Sequence, residues 1–271
     1  MSAQTYAGQR PGADTTGQDH AEPVGGHSCL DQASGLRRLF DGRSTRAVGV
    51  VSNPAVAWSG LLIEHLAHTL GAAGLHTLVV DASETAPEPG EWTALDLRWA
   101  IDVRCDQFSY LGARGLIRGH VDANGRAHAF LRRAADSAPW ADVLIVHAPA
   151  TDLMRVFSGQ DWRPVVLADT TPTGVMQAYR SMKSISRCGL STFDLLMESA
   201  AHPVLGPRLA MRLADSASRF LSWPVGVSVV VQSPAGADPS ELCRLQDLAR
   251  AQLAQAPVCA VHRPASTPAF H

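Results

Sequence analysis

The feature that most constrains the fold is a strand-helix-strand pattern between Val48 and Ser83. An apolar run, Ala47–Val51, leads through a short loop into a segment whose inward-facing residues recur at three- and four-residue spacing, namely Leu62, Leu66, Thr69, Leu70 and Ala73. After Gly74, a second apolar run, Leu78–Val80, ends at Asp81. The pattern predicts a βαβ unit whose loop lies at the carboxyl edge of a parallel sheet, where open α/β sheets bind ligands.

Further units of this kind recur along the chain and predict an α/β fold. Strands are expected at Phe108–Ala113, Asp142–His147, Pro164–Asp169, Phe193–Met197 and Val225–Val231. Amphipathic helices are expected at Ala127–Ala138, Thr170–Ser186, Pro207–Phe220 and Asp238–Gln255. With 271 residues and 46% hydrophobic content, the chain can bury one full core. We therefore predict a doubly wound, mostly parallel sheet of about seven strands with helices on both faces.

The loop of the first unit resembles the deviant Walker A motif of the MinD/ParA family of P-loop ATPases, which is close to GKGGVGKTT. Over Asn53–Leu61, the two lysines of that motif fall on Pro54 and Ser59, and its metal-binding hydroxyl falls on Gly60. A phosphate cradle needs converging backbone N–H groups and a lysine. Pro54 has no N–H, and the bulky Trp58 stands where the backbone must approach the phosphate. The resemblance is therefore to a degenerate member of the family.

The acidic residues of the family's other motifs are also incomplete. The MinD/ParA pattern has two acids one residue apart where this chain has only Asp81, and it has an acid that organises magnesium where this chain has His147. The chain contains a single lysine, Lys183, so no other lysine can replace the missing pair. Asp81 is expected to cap the turn that follows its strand. Members of the family bind ATP and magnesium, and we expect this chain to bind neither.

A second resemblance concerns the segment before the βαβ unit. The sequence DQASGLRRLF, Asp31–Phe40, resembles the DQAxxLR element of the flagellar-number regulators called FlhG or FleN, which are MinD-like proteins. In those proteins the element is a short helix that docks on the GTPase FlhF and stimulates GTP hydrolysis. The resemblance implies that Gln32 acts near the nucleotide of the partner, that Leu36 and Leu39 are anchors, and that Arg37 is a charge partner; Asp31 and Ala33 complete the motif. The alternative is an amphipathic helix that packs on its own domain.

These landmarks divide the chain into four segments. Residues 1–28 lack periodicity and are expected to be a disordered lead, and residues 29–42 hold the activator helix. Residues 46–255 form the degenerate ATPase-like domain, and residues 256–271 form a tail that is expected to be unstructured from Pro257. The last helix carries charges of both signs and lacks Phe, Trp and Lys, so we expect it to dock on the core rather than to insert into a membrane.

Composition narrows the classes of partner. The net charge of −2 disfavours binding to nucleic acid. The five cysteines are widely spaced, and the pair His65 and His68 has no second pair of ligands nearby, so neither a disulfide scaffold nor a metal site is predicted. No apolar segment is long enough to span a bilayer, and we expect a cytoplasmic protein that a partner can recruit to the cell pole or membrane.

The sequence therefore predicts a FlhG-like regulator of flagellar number or placement, which binds FlhF and can stimulate it while its ATPase-like domain is inactive. Three alternatives remain. The first is an active nucleotide enzyme that uses Arg in place of Lys. The second is a non-catalytic MinD-like accessory of cellulose synthesis or secretion. The third is a scaffold for the flagellar switch complex or for a flagellar transcription activator.

Overall fold

The computed structural model describes residues 44–90, 93, 96–232 and 238–260. All of them belong to Asp41–His271, one of the two units into which the chain divides. The predicted lead and activator helix lie outside the described residues, and so do the final residues 261–271. The partner-binding residues Asp31, Gln32, Ala33, Leu36, Arg37 and Leu39 therefore remain predictions.

The described strands form one nine-stranded sheet. They are β1 (Ser44–Val51), β2 (Thr77–Asp81), β3 (Ile101–Cys105), β4 (Phe108–Gly112), β5 (Val143–Ala148), β6 (Val165–Ala168), β7 (Phe193–Glu198), β8 (Val225–Val231) and β9 (Val258–Ala260). The strand order is β3-β4-β2-β5-β1-β6-β7-β8, and the seven strands from β4 to β8 in this order are parallel. β3 is antiparallel to β4 at one edge, and β9 is antiparallel to the start of β1. The predicted mostly parallel sheet is confirmed, with two short antiparallel strands added.

Helices cover both faces of the sheet, as a doubly wound fold requires. They are α1 (Ser59–Ala72), α2 (Leu116–Gly119), α3 (His128–Ser137), α4 (Ala150–Val156), α5 (Pro172–Ile185), α6 (Leu205–Leu221) and α7 (Pro239–Gln255), with short 3-10 helices at Leu97–Ala100 and Ser186–Cys188. Residues of α1 and α7 share one apolar cluster with the sheet, and residues of α3, α4, α5 and α6 share a second cluster. Parallel strands buried on both faces explain the uninterrupted apolar runs in the sequence.

The first βαβ unit forms where the sequence predicted it. Leu62, Leu66 and Leu70 of α1 are fully buried against the sheet. The prediction that Ala73 faces inward is wrong, because α1 ends at Ala72 and Ala73 is exposed as the chain turns away. Gly74 follows with a φ of 79°, a left-handed conformation that glycine adopts without steric cost and that ends a helix.

The last helix docks on the sheet, as predicted. Asp238 and Glu241 form a capping box at the start of α7, where the Asp238 side chain accepts hydrogen bonds from the backbone of Ser240 and Glu241. The apolar side chain of Leu242 is 43% exposed, whereas the neighbouring Glu241 is buried. The chain after Pro257 was expected to be unstructured, but Val258–Ala260 forms β9. Three residues are too few to produce a recognisable strand pattern.

Candidate functional site

The residues predicted to mark the site lie at the carboxyl edge of the sheet, where β1, β2 and β5 end beside one another. β5 lies between the other two strands, so His147 near its end is paired with Val50 of β1 on one side and with Asp81 of β2 on the other. This register brings the Asp81 and His147 side chains into contact, although they are 66 residues apart in the sequence.

The carboxylate of Asp81 is surrounded by donors from the protein itself. Nδ1 of His147 lies 2.9 Å from Oδ1 of Asp81, and the backbone N–H of Ser83 donates to the same oxygen over 3.1 Å. The hydroxyl of Tyr110, on the neighbouring strand β4, donates to Oδ2 over 2.9 Å. Because a carboxylate only accepts hydrogen bonds, the proton of the His147 contact is assigned to Nδ1. Asp81 thus caps the following turn and also joins three strands.

The surroundings of Asp81 favour its charged form. Burial by itself would raise the pKa of Asp81, but the hydrogen bond and charge of His147 and the hydrogen bonds of Ser83 outweigh burial and lower this pKa to about 2. Burial and the negative charge of Asp81 raise the pKa of the Tyr110 phenol above its ordinary range. At neutral pH the site therefore holds a carboxylate whose two oxygens are both engaged by neutral or cationic donors.

The loop after β1 is fastened to the sheet by Asn53, which the sequence analysis did not single out. The Asn53 side-chain amide donates to the backbone oxygens of Leu167 and Gly174, over 3.0 and 2.9 Å, and its carbonyl oxygen accepts from the backbone of Ala55 over 3.1 Å. Val56 is buried among the residues that pack around α1. Burial of Val56 and the hydrogen bonds of the Asn53 side chain therefore fix the conformation of this loop.

The predicted residues of the degenerate loop are only partly brought together. Pro54, Ser59 and His147 line one crevice, whereas Gly60, which is exposed, and Asp81 do not line it. The crevice has no room for a water molecule. Small-molecule sites in proteins usually measure about 300–1,000 Å³. Nε2 of His147 is buried here without a hydrogen-bond partner among the described residues.

A third strand ends in an acid that is also engaged locally. Oδ1 of Asp169, which follows β6, accepts hydrogen bonds from the backbone N–H and the hydroxyl of Thr171, over 2.9 and 2.7 Å. Thr171 in turn caps α5 by accepting from the N–H of Gly174 over 3.0 Å. The sequence pattern Asp-Thr-Thr-Pro could have revealed this arrangement, because it combines a strand-end acid with a helix cap.

After β7, two side chains are hydrogen-bonded within the turn that leads to α6. The side chain of Glu198 accepts from the backbone N–H of Ala200 over 2.6 Å, and the hydroxyl of Ser199 donates to the backbone oxygen of His202 over 2.8 Å. Both side chains thus serve the turn between β7 and α6.

The one lysine of the chain, Lys183, is in the last turn of α5 and does not line the crevice. Among the described residues, no three His, Cys, Asp or Glu side chains are grouped as metal ligands.

In the part of the chain that the structure describes, none of the helices combines the length and the apolar character needed to cross a membrane.

Comparison with solved structures identifies the fold. The chain is similar to the cell division ATPase MinD from Pyrococcus furiosus, with 14% identity, a TM-score of 0.50, and coverage of 76% of this chain and 97% of that one. It is also similar to cobyrinic acid a,c-diamide synthase from Mycobacterium smegmatis with bound ADP and magnesium, with 17% identity, a TM-score of 0.50, and coverage of 76% and 93%. No family model matches the sequence, and no curated protein matches it. The likeness therefore establishes the fold.

Proposed function

We propose that this chain is a FlhG-like regulator of flagellar number or placement, acting in the cytoplasm through a partner GTPase of the FlhF type. In this proposal the segment Asp31–Phe40 binds the partner, and the MinD-like domain neither binds nor hydrolyses ATP. The observation that supports the inactive domain is the edge of the sheet, where the carboxylate of Asp81 is hydrogen-bonded to both His147 and Tyr110. The proposed binding to the partner GTPase rests on the sequence of Asp31–Phe40.

The free energies of the missing phosphate contacts support the proposed loss of ATP binding. A charge-assisted hydrogen bond to phosphate contributes about 1.5–3 kcal/mol. The positions of the two motif lysines are occupied by Pro54 and Ser59, and the position of the metal-binding hydroxyl by Gly60. Three missing contacts amount to about 5 kcal/mol or more, which corresponds to a loss of at least three to four powers of ten in affinity. The engaged carboxylate of Asp81 adds to this loss.

The chemistry of Gln32 fits a role beside a partner's nucleotide. A glutamine side chain can orient an attacking water or a phosphate oxygen without itself ionising, which is how GTP hydrolysis is assisted in GTPases. In the sequence, Asp41–Arg43 separates the segment from β1, and in this proposal these residues tether the segment to the domain.

The GTPase experiment uses the full-length chain. We expect it to raise the GTP hydrolysis rate of purified FlhF, and we expect Gln32→Ala to abolish the increase while the protein still binds through Leu36 and Leu39. Gln18→Ala, in the lead, is the matched control and should behave as wild type. No stimulation by the unmodified protein would refute the proposed role of the segment.

The nucleotide experiment is separate. Titration of the full-length chain with a fluorescent ATP analogue and magnesium is expected to give no saturable binding up to millimolar concentrations, and no phosphate release above background. Micromolar affinity would contradict the inactive site, and it would favour the alternative in which arginines replace the lysines.

A second candidate function is favoured by a groove between α5 and α6. The groove measures about 640 Å³ and is lined mainly by apolar side chains, including Val175, Met176, Tyr179, Leu209 and Phe220. Phe220 is 75% exposed, and Arg212 lies among the lining residues. An amphipathic segment with apolar and acidic residues would fit such a surface. This supports a scaffold that binds a switch-complex protein or a transcription activator.

Calorimetry with those purified flagellar proteins tests the second candidate. Phe220→Ala should weaken binding by about tenfold or more, because exposed aromatic anchors dominate such surfaces. Val258→Ala, an exposed valine on β9, is the control. If cellulose synthase genes rather than flagellar genes lie beside the gene for this chain, the accessory role in cellulose synthesis is favoured instead.

A further inference from the structure

The outer edge of β3 is open in the part of the chain that the structure describes. β3 ends the sheet and pairs with β4 alone, and its residues Asp102–Cys105 are exposed. The outer edge of such a strand carries backbone N–H and C=O groups that can accept another strand. Proteins usually guard an edge of this kind with charged side chains, especially lysine, with proline or by covering it.

The charges on β3 do not guard it against a second copy of itself. Asp102 and Arg104 lie on the same face of the strand and form an ion pair with an N···O distance of 3.1 Å. If two copies of β3 pair antiparallel about a two-fold axis at Val103, Asp102 of each copy lies opposite Arg104 of the other. Opposite charges in directly facing positions stabilise a strand pair, and like charges destabilise it. The strand is therefore complementary to itself in this register.

The other face of β3 is apolar, and no described residue covers it. Val103 is 69% exposed, and Trp99, in the short helix just before the strand, is 83% exposed. An open cavity of about 950 Å³ lies along this face and is lined by Ile101, Val103, Cys105, Phe108 and Trp140, together with polar residues at its rim. Contiguous apolar surface of this kind indicates an interaction site.

We propose that two copies of this chain associate through β3, as antiparallel neighbours that join their sheets into one across a two-fold axis at Val103. The contact is isologous, so each favourable pair occurs twice. It lies at the edge strand rather than at the carboxyl edge where β1, β2 and β5 end, so it requires no nucleotide. The pairing of β3 with β4 is irregular between Val103 and Cys105, so the regular stretch available for the contact is short.

Charge reversal tests the register. Sedimentation equilibrium of the full-length chain should show a species of twice its 28.8 kDa mass that dissociates on dilution. Asp102→Arg places two guanidinium groups opposite each other at both symmetric positions, and Arg104→Asp does the same with carboxylates. Each should weaken dimerisation by about tenfold. The double variant Asp102→Arg/Arg104→Asp restores opposite charges and should restore the dimer.

Disulfide formation tests the position of the axis. Facing residues in an antiparallel pair have Cα atoms about 4.5–5.5 Å apart, within the range that a disulfide can bridge. Val103→Cys should therefore give a covalent dimer under mild oxidation, whereas Val258→Cys, also an exposed valine, should not exceed the background of the native cysteines. The proposal would be overturned if the chain is a monomer at all concentrations. It would also be overturned if the single charge reversals do not weaken the dimer, or if the double variant does not restore it.

Discussion

Replacing Asp81 by Asn should destabilise the fold in a pH-dependent way. The folded-state pKa of Asp81 is about 2, against an ordinary value of 3.8, and its side chain is only 17% exposed. Because the folded pKa is depressed, the ionised carboxylate contributes stability that is present above pH 3.8 and is lost as the pH falls through 2. The difference of nearly two pKa units corresponds to about 2 kcal/mol at neutral pH, at about 1.4 kcal/mol per unit.

Urea denaturation at two pH values measures this contribution. At pH 7, Asp81→Asn should lower the free energy of unfolding by about 2 kcal/mol, because the uncharged amide loses the attraction to His147 and cannot accept from Tyr110 at its nitrogen. At pH 3 the unfolded carboxyl is already mostly protonated, and the loss should shrink to about 1 kcal/mol. Asp106→Asn, at an exposed position beyond β3, is the matched control and should change little at either pH.

Two outcomes of the urea denaturation experiment would contradict this prediction. If the loss is as large at pH 3 as at pH 7, the cost of the substitution arises from shape and hydrogen bonding rather than from the charge of Asp81. If there is no loss at all, the contacts with His147 and Tyr110 do not stabilise the folded chain, and the argument that Asp81 is committed to the fold would be refuted.

Three further predictions concern the loop, α5 and the C-terminal strand. Asn53→Ala should lower the free energy of unfolding by about 2 kcal/mol, because the oxygens of Leu167 and Gly174 lose their donor; urea denaturation measures it. Gly174→Ala should lower the thermal midpoint, although alanine usually favours helix, because its Cβ would lie 1.8 Å from Oδ1 of Asp169; thermal unfolding decides the sign. Burial raises the pKa of Cys259 to about 11, so this thiol should alkylate at pH 8 about 100-fold more slowly than an ordinary thiol, as followed by mass spectrometry.

The sequence was sufficient for the fold because helix and strand periodicities are local properties. The apolar run before the loop, the spacing of Leu62, Leu66 and Leu70, and the capping pattern at Asp238 each predicted an element that the structure contains. Short elements were not predictable in this way. β9 has three residues and forms only because β1 offers an unpaired edge at its start.

The candidate site depended on strand order, which the sequence does not encode locally. Asp81 and His147 could each be placed at a strand end, but their contact requires β2 to lie beside β5. Tyr110 joins them because β4 pairs with the other side of β2. Asn53 was missed for a similar reason, since its partners Leu167 and Gly174 are more than 100 residues away.

The pairing of β9 with β1 sets where the two ends of the described chain emerge. Ser44 and Ala260 are direct neighbours, at the end of the sheet farthest from the crevice beside His147. Whatever precedes Ser44 and whatever follows Ala260 must therefore depart from adjoining points. Reporters intended to follow this molecule in cells are better inserted away from these adjoining points, in an exposed turn such as Asp122–Gly125.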